Sequence, residues 1–476
     1  MKLLKLTVLC VMIYGACHAQ YLQGRVVQKY ARAAIQSDIA QLYKDLKKYH
    51  LNLEQYISPD ELKKNFDRLR EEIPDSLTPQ QLYYRLLPVM SRIGDGHMAC
   101  HYFDPEKITG DDASKFILPY DSPLNQLQLK FIDKKIFVLN HAAAEKTIPP
   151  GAEVIRINGL PSGTVIDSVF RFMNADGYNT TFKYFFLNYR PLNGLWEYVF
   201  HNCETLNVVY KNNQSVDSIT VHGKPAASMD RKPDPESQKL PFLNFRRMDS
   251  GTAYLKVNTF EPAWDTADQR MFAMVFLKEL SQTSHLILDL RGNTGGQQGL
   301  MLMLLKGLIT TAVQPIKFPS ELIKGVVLPP ADTVKRNQLK YVKEYNLQGW
   351  GNVVPFSGSY KNRLYVLVNG GTFSAAAIMA NALGMDKRAV LIGEETGGGR
   401  NTTTAGIMYH NQMRYTGIAY SFGLIPFNAT NPIAETGHGV QPDIKITYIL
   451  EDYLNNRDLE MERALQLIEA DKSGNK

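Results

Sequence analysis

Apolar residues recur at helical spacing between Ser37 and about Tyr102, as in Ile39, Leu42, Tyr43 and Leu46 and again in Leu82, Leu86, Leu87 and Met90. Thr78-Pro79-Gln80-Gln81 has the form of a capping box with proline in its first turn, so a small helical region is predicted there. Between Leu124 and about Val221 the pattern changes to short β-like runs such as Leu127–Phe131, Lys135–Leu139 and Glu153–Asn158, separated by Pro149-Pro150-Gly151 and Asn158-Gly159. This stretch predicts a compact β-rich module. Lys224 to Lys239 is polar, holds Pro225, Pro233 and Pro235 and has no apolar period, which predicts a linker. Strand-like and helix-like segments then alternate: Thr252–Val257, a helix over about 265–281, His285–Leu290, a helix over 297–309, Arg363–Val368, a helix over 374–383, and Ala389–Ile392. Such alternation predicts an α/β sheet, closed by an amphipathic helix from Arg457. The expected organisation is a leader at 1–19, a helical region at 20–118, a β-rich module at 119–223, a linker at 224–240 and an α/β domain at 241–476.

The leader reading rests on Lys2 and Lys5, a short apolar run from Leu6 to Cys17, and a small-residue exit at Ala19-Gln20, the form of a secretory signal. The run is too short to span ~30 Å of hydrocarbon comfortably, so no membrane span is expected in the mature chain. A lipoprotein acylated at Cys17 is the alternative, although Tyr14 stands where such sites favour leucine. A periplasmic or extracellular location follows from this reading. Cleavage after Ala19 removes two lysines and takes the net charge from +6 to +4, spread thinly, which is no nucleic-acid signature. Only Cys100 and Cys203 then remain; export would permit them to pair, and their isolation argues against a metal site.

Two junctions carry the candidate chemistry, each a strand, a glycine-rich turn and a helix start that leaves amides free for an anion: Leu288–Gln297 and Asn369–Ala377. Ser374 offers a hydroxyl; its bland reading is a helix N-cap. Gly295-Gly296 fits neither GxGxxG nor a P-loop, so nucleotide binding is not expected.

Asp289-Leu-Arg-Gly-Asn-Thr-Gly-Gly, Val368-Asn-Gly-Gly-Thr-Phe-Ser-Ala-Ala-Ala, Leu391-Ile-Gly-Glu-Glu-Thr-Gly-Gly-Gly and Gly439-Val-Gln-Pro-Asp443 occur in that order. With these motifs the chain resembles the C-terminal processing (tail-specific) serine peptidase family. Pro150–Gly159 likewise resembles the PDZ-like module of such peptidases. The resemblance implies a layered ClpP/crotonase-like α/β catalytic domain and a nucleophilic Ser374. It also implies an oxyanion hole from the amides of Ala375 and of Gly295 or Gly296 and, with no cofactor or metal, hydrolysis of protein or peptide substrates, possibly near their C-termini. Many members use a lysine base in a Gly-Glu-Lys-Thr motif, but Glu395 stands at that place here, so the Ser–Lys dyad is absent. Tricorn-like relatives take a histidine from the N-terminal region, which makes His97 in Gly94-Asp-Gly-His97 the candidate base. An imidazole suits the role, because its ordinary pKa of ~6.5 leaves it mostly neutral at pH 7; its bland reading is a helix C-terminal histidine. The serine that precedes the histidine in tricorn-like sites is replaced by Gly96. Glu435 is the expected orienting partner, with Asp95, Glu395 and His438 as rivals, while Lys387 belongs to a turn. A non-catalytic binding protein on the same scaffold is the alternative function, and acyl-CoA chemistry on a crotonase-like fold a third.

Overall fold

The computed structural model describes residues 28–101, 123–141, 147–189, 199–200, 204–223, 241–262, 264–317, 352–385 and 387–474. The expected leader, the expected linker and Cys203 lie outside them. Among the described residues, no helix is long and apolar enough to cross a membrane.

The predicted helical region is α1 (Arg32–Tyr49), α2 (Pro59–Glu71) and α3 (Pro79–Ser91). The capping box forms: Gln81 N–H donates to Thr78 Oγ1 at 3.2 Å and Thr78 N–H to Gln81 Oε1 at 3.0 Å. Strand β1 (Ala99–His101) follows. The β-rich module comprises β2 (Leu127–Ile132), β3 (Lys135–His141), β4 (Glu153–Ile157), α4 (Ser162–Phe170), α5 (Thr181–Tyr189), β5 (Thr205–Asn212) and β6 (Ser215–His222). Its sheet runs β2-β3-β4-β5-β6 and encloses a separate core around Ile136, Val154, Val165 and Val208.

The α/β portion is built on β7 (Leu243–Arg247), β8 (Thr252–Val257), α6 (Thr266–Met274), β9 (His285–Asp289), α7 (Gln298–Lys306), β10 (Arg363–Val368), α8 (Ala375–Met385) and β11 (Val390–Gly393). Strands β12 (Thr402–Gln412), β13 (Ala419–Ala429) and β14 (Ile444–Lys445) and helix α9 (Leu459–Gly474) complete it. The main sheet runs β7-β8-β9-β10-β11-β14, parallel from β8 onward with β7 antiparallel at the edge.

Strand periodicity explains why its centre is apolar throughout. Leu286, Leu288, Leu364, Val366 and Val368 face one layer with α7 and α8, whereas Ile287, Tyr365 and Leu367 face α9 through Ala464 and Ile468. A sheet covered on both faces needs apolar residues at odd and even positions alike. Helix α8 is buried on every side, which is why Ala375 to Ala382 shows no amphipathic stripe.

A long hairpin, β12–β13, lies outside the main sheet, and the sequence pattern gives no warning of it because Thr402–Ala405 and Phe422–Phe427 are buried at consecutive positions. It is the seat on which the helical region docks. β1 pairs antiparallel with β13, Cys100 opposite Tyr420. From α1, Asp45 Oδ2 accepts from Tyr409 OH at 2.8 Å, Asn411 Nδ2 at 2.8 Å and Tyr420 OH at 2.6 Å. Asp38, fully buried, accepts from the amides of Tyr415 at 3.0 Å and Thr416 at 2.8 Å and from Thr416 Oγ1 at 2.7 Å. The cores of the helical region and the α/β portion are therefore one.

Removing a buried charged acceptor leaves its donors unsatisfied. Asp38→Ala is expected to destabilise the protein by about 3 kcal/mol, read as a lower urea midpoint; an unchanged midpoint would contradict the docking role given to this carboxylate.

Candidate active site

The turns that leave the carboxyl ends of β9 and β10 converge, as the ends of parallel strands do in α/β sheets. The first is held by charge. Asp289 accepts from Arg291 N at 2.9 Å and Nη2 at 2.8 Å and from Tyr254 OH at 2.8 Å. Arg291 continues to Asp458 at 2.7 Å and Glu460 at 3.1 Å, which locks the turn onto the start of α9. Asn369 joins the two turns, its Oδ1 accepting from the amides of Gly292 and Gly371 at 2.9 Å each. Phe373 N–H donates to Asn293 O at 3.0 Å, so the residue before Ser374 is strapped to the glycine turn.

Ser374 has φ +52°, a left-handed conformation that costs an L-residue roughly 1–2 kcal/mol. A capping serine has an extended backbone and a hydroxyl turned to its own helix's amides. Here the hydroxyl lies 3.0 Å from His97 Nε2 instead, and helix α8 starts at Ala375. The strain aims the side chain out of the turn.

His97 is fixed on every side. Its side chain is 6% exposed, its ring packs on Phe373 with centroids 4.6 Å apart, and its amide donates to Asp95 Oδ1 at 2.8 Å. Nδ1 lies 3.2 Å from Thr403 Oγ1 and 3.9 Å from Asp95 Oδ1. With the Asp95 carboxylate on the Nδ1 side, a neutral ring protonated at Nδ1 is the assigned tautomer; it donates to Thr403 and leaves the Nε2 lone pair facing Ser374.

Gly96 is required by close packing: a Cβ there would fall 2.8 Å from Phe373 Cζ and 3.0 Å from Asp176 Oδ1. A serine cannot occupy that place without displacing the Phe373 ring that packs on His97. Asp176, buried in the segment that links the β-rich module to the site, accepts instead from the amides of Gly96 at 2.8 Å and Gly399 at 2.9 Å. Its burial pushes the carboxyl above the usual range, opposed by a positive charge on His97 when that ring is protonated and by the amide donors of Gly399 and Gly96. Asp95 Oδ2 bonds His50 Nε2 at 2.8 Å. Asp95, His97 and Asp176 bring ligand atoms within 4.8 Å of one another, a spacing open to a cation, but each oxygen of both carboxylates already accepts a hydrogen bond.

The two candidate glycine amides differ. Gly295 N–H donates to Asn293 Oδ1 at 2.9 Å and is committed, whereas among the described residues no acceptor meets Gly296 N–H or Ala375 N–H. Gly295 adopts φ +102°, and a Cβ on it would lie 2.7 Å from Ser374 Cβ, so only glycine lets the turn reach the serine. Glu261 packs on Gly296 from behind, and burial pushes its carboxyl up to about 7.

The remaining sequence candidates stand apart from the imidazole. Glu435, the expected orienting partner, has a side chain 76% exposed and approaches His438 Nε2 at 3.6 Å. Its segment turns outward, so the carboxylate faces solvent. Glu395 accepts from Gly439 N at 2.7 Å and Asn179 Nδ2 at 2.9 Å and lies 3.3 Å from His438 Nδ1, a structural tie between module and sheet. Lys387 sits in the turn before β11. Cys100 is buried with a free thiol, which burial pushes up to about 12, far from a reactive thiolate. Thr403 and Asp176, which touch the imidazole of His97 and its loop, were not marked by any motif. Their only signals are the Thr402-Thr403-Thr404 run and the turn-like Asp176-Gly177.

The sequence profile of Peptidase family S41 matches residues 251–446. Among solved structures, mature CPAF complexed with lactacystin is 16% identical, with a TM-score of 0.63 over 92% of this chain and 97% of that one. Mature CPAF is also 16% identical, with a TM-score of 0.61 over 89% and 96%. These two likenesses show a shared fold. No curated protein matches the chain.

A carboxyl whose pKa rises on folding makes the folded state bind more protons between its unfolded value near 4.5 and about 7, so stability falls as pH rises through that window. Glu261→Gln removes the penalty: its Tm should exceed that of the parent at pH 8 and equal it at pH 4. Equal Tm differences at both pH values would contradict the assignment.

Proposed function

We propose that the chain is a serine-type peptidase of family S41, whose profile matches residues 251–446, and that it is an exported endopeptidase in which Ser374 is the nucleophile and His97 the general base. The observation that carries this reading is the 3.0 Å contact between Ser374 Oγ and His97 Nε2, made across 277 positions of sequence. His97 Nε2 takes the hydroxyl proton as Oγ attacks the scissile carbonyl. The carbonyl oxygen becomes an anion, for which Gly296 N–H and Ala375 N–H are the free donors. The imidazolium is held by the Thr403 hydroxyl and by the carboxylates of Asp95 and Asp176, which take the part first sought at Glu435. His97 then protonates the leaving amine, and water attacks the acyl-enzyme by the same route reversed.

Export is supported by the signal-like pattern of Met1 to Gln20. The β-rich module, read as PDZ-like, would take an extended peptide end as an added strand. This favours polypeptide tails as substrates. Its segment 174–181 supports a coupling to catalysis: Gly177 N–H donates to Gly94 O at 2.8 Å and Asn179 Nδ2 to Thr396 O at 2.8 Å, so module, base loop and sheet meet there.

Ser374→Ala and His97→Ala are each expected to lower kcat on an unfolded protein substrate by ~10³-fold or more while leaving Tm close to that of the parent. Full activity of His97→Ala would remove the imidazole from the mechanism. Thr403→Val should cost about tenfold in kcat with KM unchanged, one hydrogen bond to the base being lost.

A further inference from the structure

A small recess lies against α8, the helix that Ser374 precedes. Its apolar wall includes Ile316, Ile378 and Phe427, and its polar lining includes Asn381, Thr403 and Arg400. Three contacts tie it to the reacting groups. Ile378 lies one turn into α8, its amide donating to Ser374 O at 3.0 Å. Thr403 bonds the base. Gly398, two residues before Arg400, packs so closely that a Cβ on it would lie 2.9 Å from Ser374 N. These contacts tie the lining to the backbone of Ser374 and to the imidazole.

Arg400 is the unusual member. It is partly buried, and of its five N–H donors only Nη1 has an acceptor among the described residues, Asn431 O at 3.0 Å. Other arginines of the α/β portion are handled differently. Arg291 meets three carboxylates, and Arg388, which has none, is caged by the carbonyls of Leu308, Tyr360 and Asn362 at 2.7–3.0 Å. Among the described residues no carboxylate lies within 4 Å of Arg400, and its burial is uncompensated, which lowers its pKa. A desolvated guanidinium with free donors is a receptor for a planar anion.

We infer that Arg400 binds a carboxylate of the substrate in this recess and so makes the peptidase selective for chains that carry an acidic group beside the scissile bond. The inference rests on Ser374 as nucleophile and deepens that reading. Two sources share the chemistry: an aspartate or glutamate side chain, or the terminal carboxylate of the polypeptide.

The test uses the full chain and internally quenched peptides that differ at one position next to the cleaved bond, Glu, Gln or Lys, together with a Gln peptide whose terminus is free or amidated. The parent should prefer Glu to Lys by about 10- to 100-fold in kcat/KM, mostly through KM. Arg400→Gln should erase the preference, Arg400→Lys retain part of it, and Arg400→Glu reverse it. A preference for the free over the amidated terminus, lost in Arg400→Glu, assigns the terminal carboxylate as the source; indifference to amidation with a Glu preference assigns the side chain. An unchanged Glu-to-Lys ranking in Arg400→Glu, with Ser374 still labelled by a serine-reactive phosphonate, overturns the inference and leaves the nucleophile standing. A parent whose Ser374 takes no label and which cleaves none of the peptides overturns the nucleophile and the inference with it.

Discussion

The contact between an imidazole at position 97 and a hydroxyl at position 374 depends on one constraint: the helical region must seat on the β12–β13 hairpin with no freedom to slide. Strand register supplies that constraint. β1 begins two residues after His97 and pairs with β13 over three positions, so a slip of one residue would turn every side chain of the strand to the opposite face. Asp38 and Asp45 fix the other end of the seat by accepting from groups of the hairpin. The energetic weight of this docking is thus carried by buried charged acceptors and a shared apolar core rather than by surface ion pairs, which contribute little.

The opposite half of the site is built by backbone. Asn369 holds two glycine turns together, Arg291 fixes one of them to α9, and Ser374 is forced into a left-handed conformation at their junction. Strain of this kind persists only where the surroundings over-determine it. On the proposed assignment, this gives a hydroxyl and two amides with little need to reorganise as charge develops, which is how electrostatic preorganisation lowers a barrier.

Much of this was legible in the sequence where local chemistry repeats or is peculiar. The β-like run Leu127–Phe131, the capping box at Thr78 and the glycine turns after Leu290 and Val368 each have a short-range physical cause, and each forms as expected. Ser374 stands out against Gly370-Gly371 and Ala375-Ala376 for the same reason. Groups that act through distant packing left no such trace. Thr403 is one threonine of a strand with consecutive buried positions, and Asp176 is a turn residue whose partners are backbone amides 80 and 223 positions away. Glu435 drew attention by its place near Gly439, yet proximity along the chain did not decide where its side chain points. The choice between Gly295 and Gly296 likewise required knowing that Asn293 turns its amide oxygen back on the first of them.

The central claim is that one serine is activated by one imidazole delivered from the helical region. The most direct measurement is the rate of covalent labelling by a fluorophosphonate, with the modified residue located by peptide mass. The account predicts a single adduct at Ser374, formed at least 100-fold more slowly when His97 is replaced by alanine. An adduct elsewhere, or an undiminished rate at Ser374 without the imidazole, would contradict it.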